Sequence, residues 1–176
     1  MTLDELFAEL DQHHDRVPLR ELDRLMRAVR IDASEVEPFV RFGPDTYRRN
    51  LMRAGPGYHA LILCWKNGQR SPIHDHRGSS CGVKVIRGTA TETIFERTPA
   101  GHIYAVESRK LAEGYCCGSQ DEDIHQISAI EPDGSDLVTL HIYSPPLLVM
   151  GTYSLTSTRV GSFEDRIYEF CEGAGI

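Results

Sequence analysis

The chain has 176 residues, 40% of them hydrophobic, with 26 acidic and 19 basic side chains and a formal net charge of −7. This length predicts one domain with a sizeable core. The negative charge argues against nucleic acid as a partner, because phosphate binding needs clustered Lys and Arg. No apolar run approaches the roughly 20 residues of a membrane span, and the acidic start MTLDELFAEL is unlike a secretory signal. We therefore expect a cytoplasmic monomer that contacts no membrane.

The N-terminal part of the chain predicts helices. Thr2 and Glu5 have the spacing of a capping box, and apolar residues then recur on one helical face, so we expect helix over residues 2–29. Ser34 is the candidate N-cap of a third, short helix. Residues 1–42 are thus expected to form a helical cap that serves packing.

From residue 46 the pattern changes to β-branched and aromatic runs of strand length, separated by turns rich in Gly, Pro, Asn and Asp. Many short strands in succession are typical of an all-β barrel or sandwich. We predict one mostly β domain over residues 1–176: a jelly-roll-like β-barrel over 45–155, the helical cap, and a C-terminal segment, 156–176, packed outside. The predicted strands are TYRRNLMRA, YHALILCWK, CGVKVIRG, TATETIFER, HIYAVESRKL, IHQISAI and LVTLHIYS.

The cysteines are expected to be mostly free thiols. The chain has five cysteines, an odd number without the paired C-x-x-C spacing of a zinc ribbon. In a reducing compartment most cysteines stay free thiols. Apart from Cys81, which is considered below, they are interpreted as small buried hydrophobic residues. These four are Cys64, Cys116, Cys117 and Cys171.

His74 and His76 are candidate metal ligands. Residues two apart in a strand share one face, so both imidazoles can reach one ion if residues 73–76 are extended, while Asp75 points the other way. His125 and His141 are the candidates for a third ligand. The other four histidines lie in the cap or near turns and are interpreted as surface or packing residues; they are His13, His14, His59 and His102.

The stretch GQRSPIHDHRGSSCGVKVIRG, from Gly68 to Gly88, resembles the first cupin motif, G-x5-H-x-H-x4-E-x6-G. Each fixed position matches except one, because Cys81 stands where the usual glutamate ligand would be. The second cupin motif is degenerate: Gly114 and His125 fit, but its Pro, Gly and Asn are replaced. The resemblance implies a cupin fold with His125 as the third ligand, which leaves His141 for another task.

Three neutral imidazoles suit several metals, and ligand softness does not separate Fe, Zn, Cu and Ni. Zinc with three histidines is a known hydrolytic arrangement. Without a carboxylate ligand, however, the ion keeps its full double positive charge, which favours an anionic substrate ligand such as a thiolate. Three octahedral positions would remain for a thiolate, an amine and dioxygen.

The replacement of the cupin glutamate by cysteine resembles the cysteine dioxygenases of the mammalian type. The similarity covers about residues 45–153, through YRRNL, LILCW, SPIHDH, ETIFE and LHIYSPP. It implies an enzyme that binds Fe(2+) through His74, His76 and His125. Such an enzyme adds both atoms of O2 to the thiol of L-cysteine and gives cysteine sulfinic acid.

The resemblance also implies a substrate site. Arg49 matches the family's arginine that holds the substrate carboxylate, and its planar fork can make two parallel hydrogen bonds to such a group. Tyr47, two residues earlier, matches a tyrosine that lines the pocket beside it. Arg48 lies on the opposite face and is interpreted as a surface residue.

Thr139, His141 and Tyr143 are spaced by two and should form one inward row. The row resembles the family's serine-histidine-tyrosine relay, with threonine in the serine position. Cys81 and Tyr143 match the two positions that a thioether crosslink joins in the resembled enzymes. Such a bond would fix the phenol ring. The Ser144–Pro145 bond matches a family position noted for a cis peptide.

Two alternatives stay open. The first is a dioxygenase of 3-mercaptopropionate or another small thiol acid; glutamine replaces the carboxylate-binding arginine in that branch, so Arg49 favours cysteine. The second is a cupin that binds a metal or a small ligand without catalysis, since fold alone does not establish chemistry. Arg49 and the row that ends at Tyr143 argue against it, because a metal store needs neither.

Overall fold

A computed structural model of the chain describes residues 1–121, 123–164 and 166–169. In this part the helices are α1 Leu3–Leu10, α2 Leu19–Ala28 and α3 Ala33–Val36, followed by a 3-10 turn, Glu37–Phe39. The strands are β1 Arg48–Ala54, β2 His59–Trp65, β3 Ile73–His74, β4 Ser80–Arg87, β5 Ala90–Arg97, β6 Ile103–Leu111, β7 Cys116–Gln120, β8 Ile124–Ser128, β9 Leu137–Ser144, β10 Val149–Ser154, β11 Ser157–Glu164 and β12 Ile167–Tyr168. None of the described helices has the length and apolar character to cross a membrane.

Helix α1 begins at the predicted capping box, but the predicted helix over residues 2–29 is wrong in its middle. The Oγ1 of Thr2 accepts from the Glu5 amide, and the Glu5 carboxylate accepts from the Thr2 amide. The helix then ends at Leu10, and α2 starts only after Pro18. Pro18 lacks an N–H and disfavours helical geometry in Val17, so one continuous helix cannot run through this position.

The predicted N-cap of the third helix is also wrong. Asp32, not Ser34, caps α3: its Oδ1 accepts from the Ser34 amide at 2.8 Å, and the Glu35 carboxylate accepts from the Asp32 amide at 2.7 Å. The Ser34 hydroxyl adds a second hydrogen bond to Asp32. The N-cap of α3 therefore lies two residues earlier than predicted, and it is part of a capping box.

The strands form two six-stranded sheets. Sheet I has the order β12-β1-β2-β9-β4-β7, and sheet II has the order β11-β10-β3-β8-β5-β6. Within the described residues β12 pairs parallel with β1, and the other pairings are antiparallel. One apolar cluster joins Leu61 and Val83 of sheet I to Ile127 and Met150 of sheet II. The sheets therefore face each other across a common interior, as in a jelly roll.

Helices cover the other face of sheet I. Every residue of β9 is buried. Its residues Leu140 and Ile142 share a second cluster with Leu22 and Met26 of α2, whereas Thr139, His141 and Tyr143 take the alternate positions that face sheet II. In sheet II, by contrast, most residues of β6 and β11 are exposed. Sheet I is thus a central layer and sheet II an outer one.

The seven predicted strands are all present, and five further strands were not predicted. These five are β3, β7, β10, β11 and β12. Residues 157–164, expected in an outer packing segment, form an edge strand of sheet II, and β12 extends the edge of sheet I. Residues 170–176, which include Cys171, lie outside the described residues. Cys64, Cys116 and Cys117 are buried free thiols, as predicted, and the Cys81 side chain is buried as well.

Candidate metal centre

Three histidines converge between the sheets. His74 ends β3 and is the direct partner of His125 in β8, while His76 follows in the next turn, where its amide donates to the Asp121 carbonyl. The candidate ligand atoms of the three residues all lie within 4.8 Å of one another. The ring centroids are 4.7 to 5.5 Å apart. All three side chains are buried, so the cluster faces the interior.

Asp75, between the two histidines, points away from them and toward β10. Its Oδ1 accepts from the Gly151 amide at 2.8 Å, and its Oδ2 accepts from the Tyr153 hydroxyl at 2.7 Å. A Cβ at position 151 would collide with the Asp75 carboxylate, so this close approach requires glycine. The Asp75 carboxylate therefore links the H-x-H segment to β10, on the side away from the two imidazoles.

Hydrogen bonds orient two of the three rings. His74 Nδ1 donates to the Pro72 carbonyl at 3.0 Å, and His125 Nδ1 donates to Glu92 Oε1 at 2.8 Å. In a neutral imidazole this leaves Nε2 as the lone-pair nitrogen. His76 Nε2 lies 3.1 Å from the Ser119 hydroxyl, which can turn its hydrogen away when that nitrogen binds an ion.

The environment favours neutral imidazoles. Burial, together with repulsion from His125, lowers the pKa of His74 to about 3, and the same causes hold the pKa of His76 well below its ordinary value. Both rings are therefore in the deprotonated form that a metal requires. A buried set of three imidazole nitrogens fits a divalent transition metal.

A polar row runs along β9 beside the cluster. His141 Nε2 lies 3.0 Å from Thr139 Oγ1, and His141 Nδ1 lies 3.0 Å from the Tyr143 hydroxyl. The indole N–H of Trp65 donates to Thr139 Oγ1 at 3.1 Å. Burial, followed by repulsion from His125, lowers the pKa of His141 well below its ordinary value. The row is thus a connected chain of neutral groups.

Arg49 belongs to the same interior. Its side chain is 1% exposed, Nη2 donates to the Leu147 carbonyl at 2.9 Å, and Cζ lies 5.4 Å from the centroid of the Tyr143 ring. Tyr47, on the same face of the chain, stacks on Trp65 with the ring centroids 4.1 Å apart. Arg48 points the other way and lies 3.9 Å above the Tyr168 ring.

Comparison with known proteins identifies the family. Residues 2–156 match the family model of cysteine dioxygenase type I. The chain is 34% identical to cysteine dioxygenase type 1 of Homo sapiens over 139 residues, 75% of this chain and 68% of the human protein. It is 32% identical to that of Rattus norvegicus over 151 residues, 82% of this chain and 71% of the rat protein. The chain belongs to the cysteine dioxygenase type I family. Membership of this family and the three-histidine site support a thiol dioxygenase, an enzyme whose substrates are a small molecule and O2.

The fold agrees with this family. The structure is similar to the crystal structure of the TT1209 protein from Thermus thermophilus, with a TM-score of 0.53 and 16% identity over 63% of this chain and 94% of that chain. At such identity the likeness concerns the fold alone. The mostly β cupin fold with N-terminal helices, predicted from the sequence, is confirmed.

Cys81 lies against the tyrosine of the polar row in this cysteine dioxygenase type I family member. Cys81 and Tyr143 are direct partners in the pairing of β4 with β9. Burial raises the pKa of the Cys81 thiol to about 12, although hydrogen bonds with Tyr143 and Ser119 oppose the shift. The thiol is therefore protonated at neutral pH and in contact with the phenol.

Two charged residues of the site were missed by the sequence analysis. Glu92 of β5 accepts from His125, and Arg109 of β6 donates to the same carboxylate. The available signal was weak: Glu92 takes an inward position between Ala90 and Ile94 in an alternating strand. Nothing local pairs it with Arg109, because the contact depends on the register of β5 with β6.

Proposed function

We propose that this protein is an iron(II)-dependent cysteine dioxygenase of the cytoplasm, acting as a monomer and converting L-cysteine and O2 to cysteine sulfinic acid. The observation that supports it is one shared interior, in which the three-histidine cluster, the Arg49 guanidinium and the β9 row lie together. A metal store would need neither of the last two. The reaction balances, because one thiol and one O2 give one sulfinic acid with both oxygen atoms on sulfur.

His74, His76 and His125 would hold Fe(2+), which supplies the oxygen and redox chemistry when bound. The three imidazoles bring no negative charge to the ion. An anionic substrate thiolate would therefore be a favourable additional ligand. This charge argument is the reason for preferring a thiol substrate to a neutral one.

Arg49 would bind the substrate carboxylate. The hydrogen bond from Nη2 to the Leu147 carbonyl holds the guanidinium in place, so little side-chain freedom is lost when a substrate binds. Tyr47, fixed on Trp65 by stacking, would form the wall beside it. A carboxylate held here positions the substrate in the same interior as the three histidines, which is a contribution of orientation rather than of chemistry.

The β9 row would orient the phenol of Tyr143. The Thr139 oxygen accepts from Trp65, so its own hydrogen can point to His141 Nε2. His141 then carries its proton on Nδ1 and donates to the Tyr143 oxygen, 3.0 Å away. This arrangement directs the Tyr143 hydrogen away from His141 and toward the substrate, where it can hydrogen-bond to sulfur or to the oxygen added to it.

We also propose that Cys81 and Tyr143 form a thioether. The Sγ would bond to a ring carbon of the phenol and replace a hydrogen there. The thiol and ring hydrogens leave as two protons and two electrons, which dioxygen accepts to give hydrogen peroxide. The contact between the Cys81 thiol and Tyr143 supports this crosslink. Its effect would be to fix the phenol that the row orients.

The test is oxygen uptake by the protein loaded with Fe(2+) under anaerobic conditions and then given L-cysteine and air. We expect one O2 consumed for each cysteine sulfinate formed, with both oxygens from isotopically labelled O2. A large preference for 3-mercaptopropionate would overturn the substrate assignment. Absence of sulfinate from fully iron-loaded protein would overturn the enzyme and favour a non-catalytic metal-binding cupin.

A further inference from the structure

Glu92 is a buried carboxylate whose two oxygens serve different partners. Its side chain lies on β5 and the residue is 3% exposed. Oε1 accepts from His125 Nδ1 at 2.8 Å, while Oε2 accepts from Arg109 Nε at 2.9 Å and from Arg109 Nη2 at 2.8 Å. A buried carboxylate is costly unless its lone pairs are satisfied by well-placed donors. Here each oxygen has its own donor.

The sheet itself fixes this arrangement. Glu92 and Arg109 are direct cross-strand partners in β5 and β6, and β5 also pairs with β8, which carries His125. His125 lies diagonally across from Glu92, because its direct partner in β5 is Ile94. The contacts of Glu92 therefore cross sheet II from Arg109 on the outer strand to the histidine cluster. Among the described residues, Glu92 is the carboxylate that hydrogen-bonds to a histidine of the cluster.

We propose that Glu92, held in place by Arg109, is a positioning residue for the metal centre. The inference rests on the three-histidine centre of the proposed function. Glu92 keeps the His125 proton on Nδ1, fixes the plane of the ring, and so presents the Nε2 lone pair to the ion. Its negative charge also makes His125 a stronger donor than an imidazole that is bonded to a neutral carbonyl.

Arg109 does not cancel that charge at His125. Its side chain is 35% exposed and borders a cavity of about 540 Å³ that His125 and Ser119 also line. Water in such a cleft screens the guanidinium. Glu92 and His125 are only 3% and 4% exposed, so the interaction between them is screened less. Arg109 therefore holds the Glu92 carboxylate in place from the solvent side. Glu92 in turn holds the His125 ring through its other oxygen.

Two substitutions separate the proton-holding role of Glu92 from the role of its charge. Glu92→Gln keeps the volume and an oxygen that can accept from His125, but it loses the charge. Glu92→Leu loses both. We expect the dissociation constants of the apoprotein for Fe(2+) and for Zn(2+), measured anaerobically by competition with a chromogenic chelator, to rise about tenfold in Glu92→Gln and about 100-fold in Glu92→Leu, the range known for outer partners of metal-bound histidine.

Glu131→Gln is the matched control. Glu131 pairs with Lys110, the neighbour of Arg109, at 2.9 Å, so this variant removes one negative charge nearby without touching a histidine. Its metal affinity should equal that of the wild type. Arg109→Met tests the anchor and should weaken metal binding more than Arg109→Lys, which keeps one donor. The melting temperature of each apoprotein separates a positioning effect from a general loss of fold.

The outcomes distinguish this inference from the proposed function. Equal metal affinities in the wild type, Glu92→Leu and Arg109→Met would overturn the positioning role and leave the dioxygenase standing. So would equal losses in Glu92→Gln and Glu131→Gln. Weaker metal binding in the Glu92 variants, but not in Glu131→Gln, supports the positioning role of Glu92. If the wild type then forms no sulfinate, only the proposed dioxygenase function is overturned. An apoprotein that binds neither metal would overturn both.

Discussion

The two sheets bring different chemistry to the same interior. Sheet I, covered by helices on its other face, supplies Arg49 and the polar row of β9. Sheet II, whose outer strands β6 and β11 are largely exposed, supplies His74, His125 and the carboxylate of Glu92. In the proposed function, holding a metal and orienting a substrate therefore belong to separate layers. The two functions should therefore be separable by substitution, so a change in one layer should spare the function of the other.

The largest effect is expected from a histidine of the metal cluster. His76→Ala removes one of three candidate ligands, so the affinity for Fe(2+) should fall by more than the roughly 100-fold that outer partners contribute, and sulfinate formation should be lost with it. The measurement is iron content after gel filtration, together with oxygen uptake. His102→Ala, an exposed histidine, is the control and should keep both. A full iron equivalent in His76→Ala would show the ligand assignment to be wrong.

Arg49→Ala should damage the substrate site and leave the metal in place. A charge-assisted hydrogen bond contributes about 1.5–3 kcal/mol, so kcat/KM for L-cysteine should fall about 100-fold, chiefly through KM, at unchanged iron content. Arg48→Ala is the matched control, because Arg48 lies on the opposite face against Tyr168. Loss of iron in Arg49→Ala, or equal losses in both variants, would contradict the division between the sheets.

Length and burial, rather than the division between the sheets, decide which strands could be predicted, because β7 and β12 of sheet I were missed whereas β5, β6 and β8 of sheet II were predicted. Strands of sheet I such as β2 and β9 are buried on both faces and give long apolar runs, LILCW and LVTLHIYS. In sheet II, β3 has two residues, β11 is almost wholly exposed, and β10 contains Gly151. Such segments become strands because of the neighbours they pair with. Their own residues give little signal.

The site was predicted where its residues are close in sequence. His74 and His76 are two apart, as are Thr139, His141 and Tyr143, so strand periodicity predicts a common face. The contacts of Glu92 with His125 and Arg109 span 33 and 17 residues and depend on strand register. Register is a property of the whole sheet. The outer support of the metal centre therefore could not be read from local spacing.

Acid should destabilise the apoprotein through both sheets. The pKa of His74 is lowered to about 3, and that of His141 is lowered well below its ordinary value. Between pH 6.5 and about 3 the His74 imidazole is protonated in the unfolded chain but not in the folded chain, so the free energy of unfolding falls as pH falls. From pH 7 to 5 His74 contributes a loss of about 2 kcal/mol, and His141 shifts the free energy of unfolding in the same direction. Urea unfolding at the two pH values measures it. An unchanged urea midpoint would contradict the buried neutral cluster.

Thr139→Val should break the row in sheet I without touching the metal. Valine has the shape of threonine but leaves the Trp65 indole and His141 Nε2 without their shared oxygen, at a cost of about 1–3 kcal/mol in the free energy of unfolding. The value of kcat should fall while iron content stays at the wild-type level. Thr139→Ser restores the hydroxyl and should recover most of both. If the serine variant behaves like the valine variant, the hydroxyl does not account for the losses in kcat and stability, and the row has no orienting role.

Cys81→Ser should have the smallest effect. Serine keeps a hydrogen-bonding group beside Tyr143 but cannot form the thioether, so the phenol loses a covalent restraint and keeps its hydrogen bond to His141. We expect activity to fall by less than about tenfold, which is under about 1.4 kcal/mol in the barrier. Any doublet of the wild type on a denaturing gel should become a single band, and a doublet that persists would exclude the crosslink. Iron content tests the division of roles between the sheets, because Cys81 lies on sheet I. If the Cys81→Ser variant loses its iron, the thiol contributes to the metal site, and metal binding is not confined to sheet II.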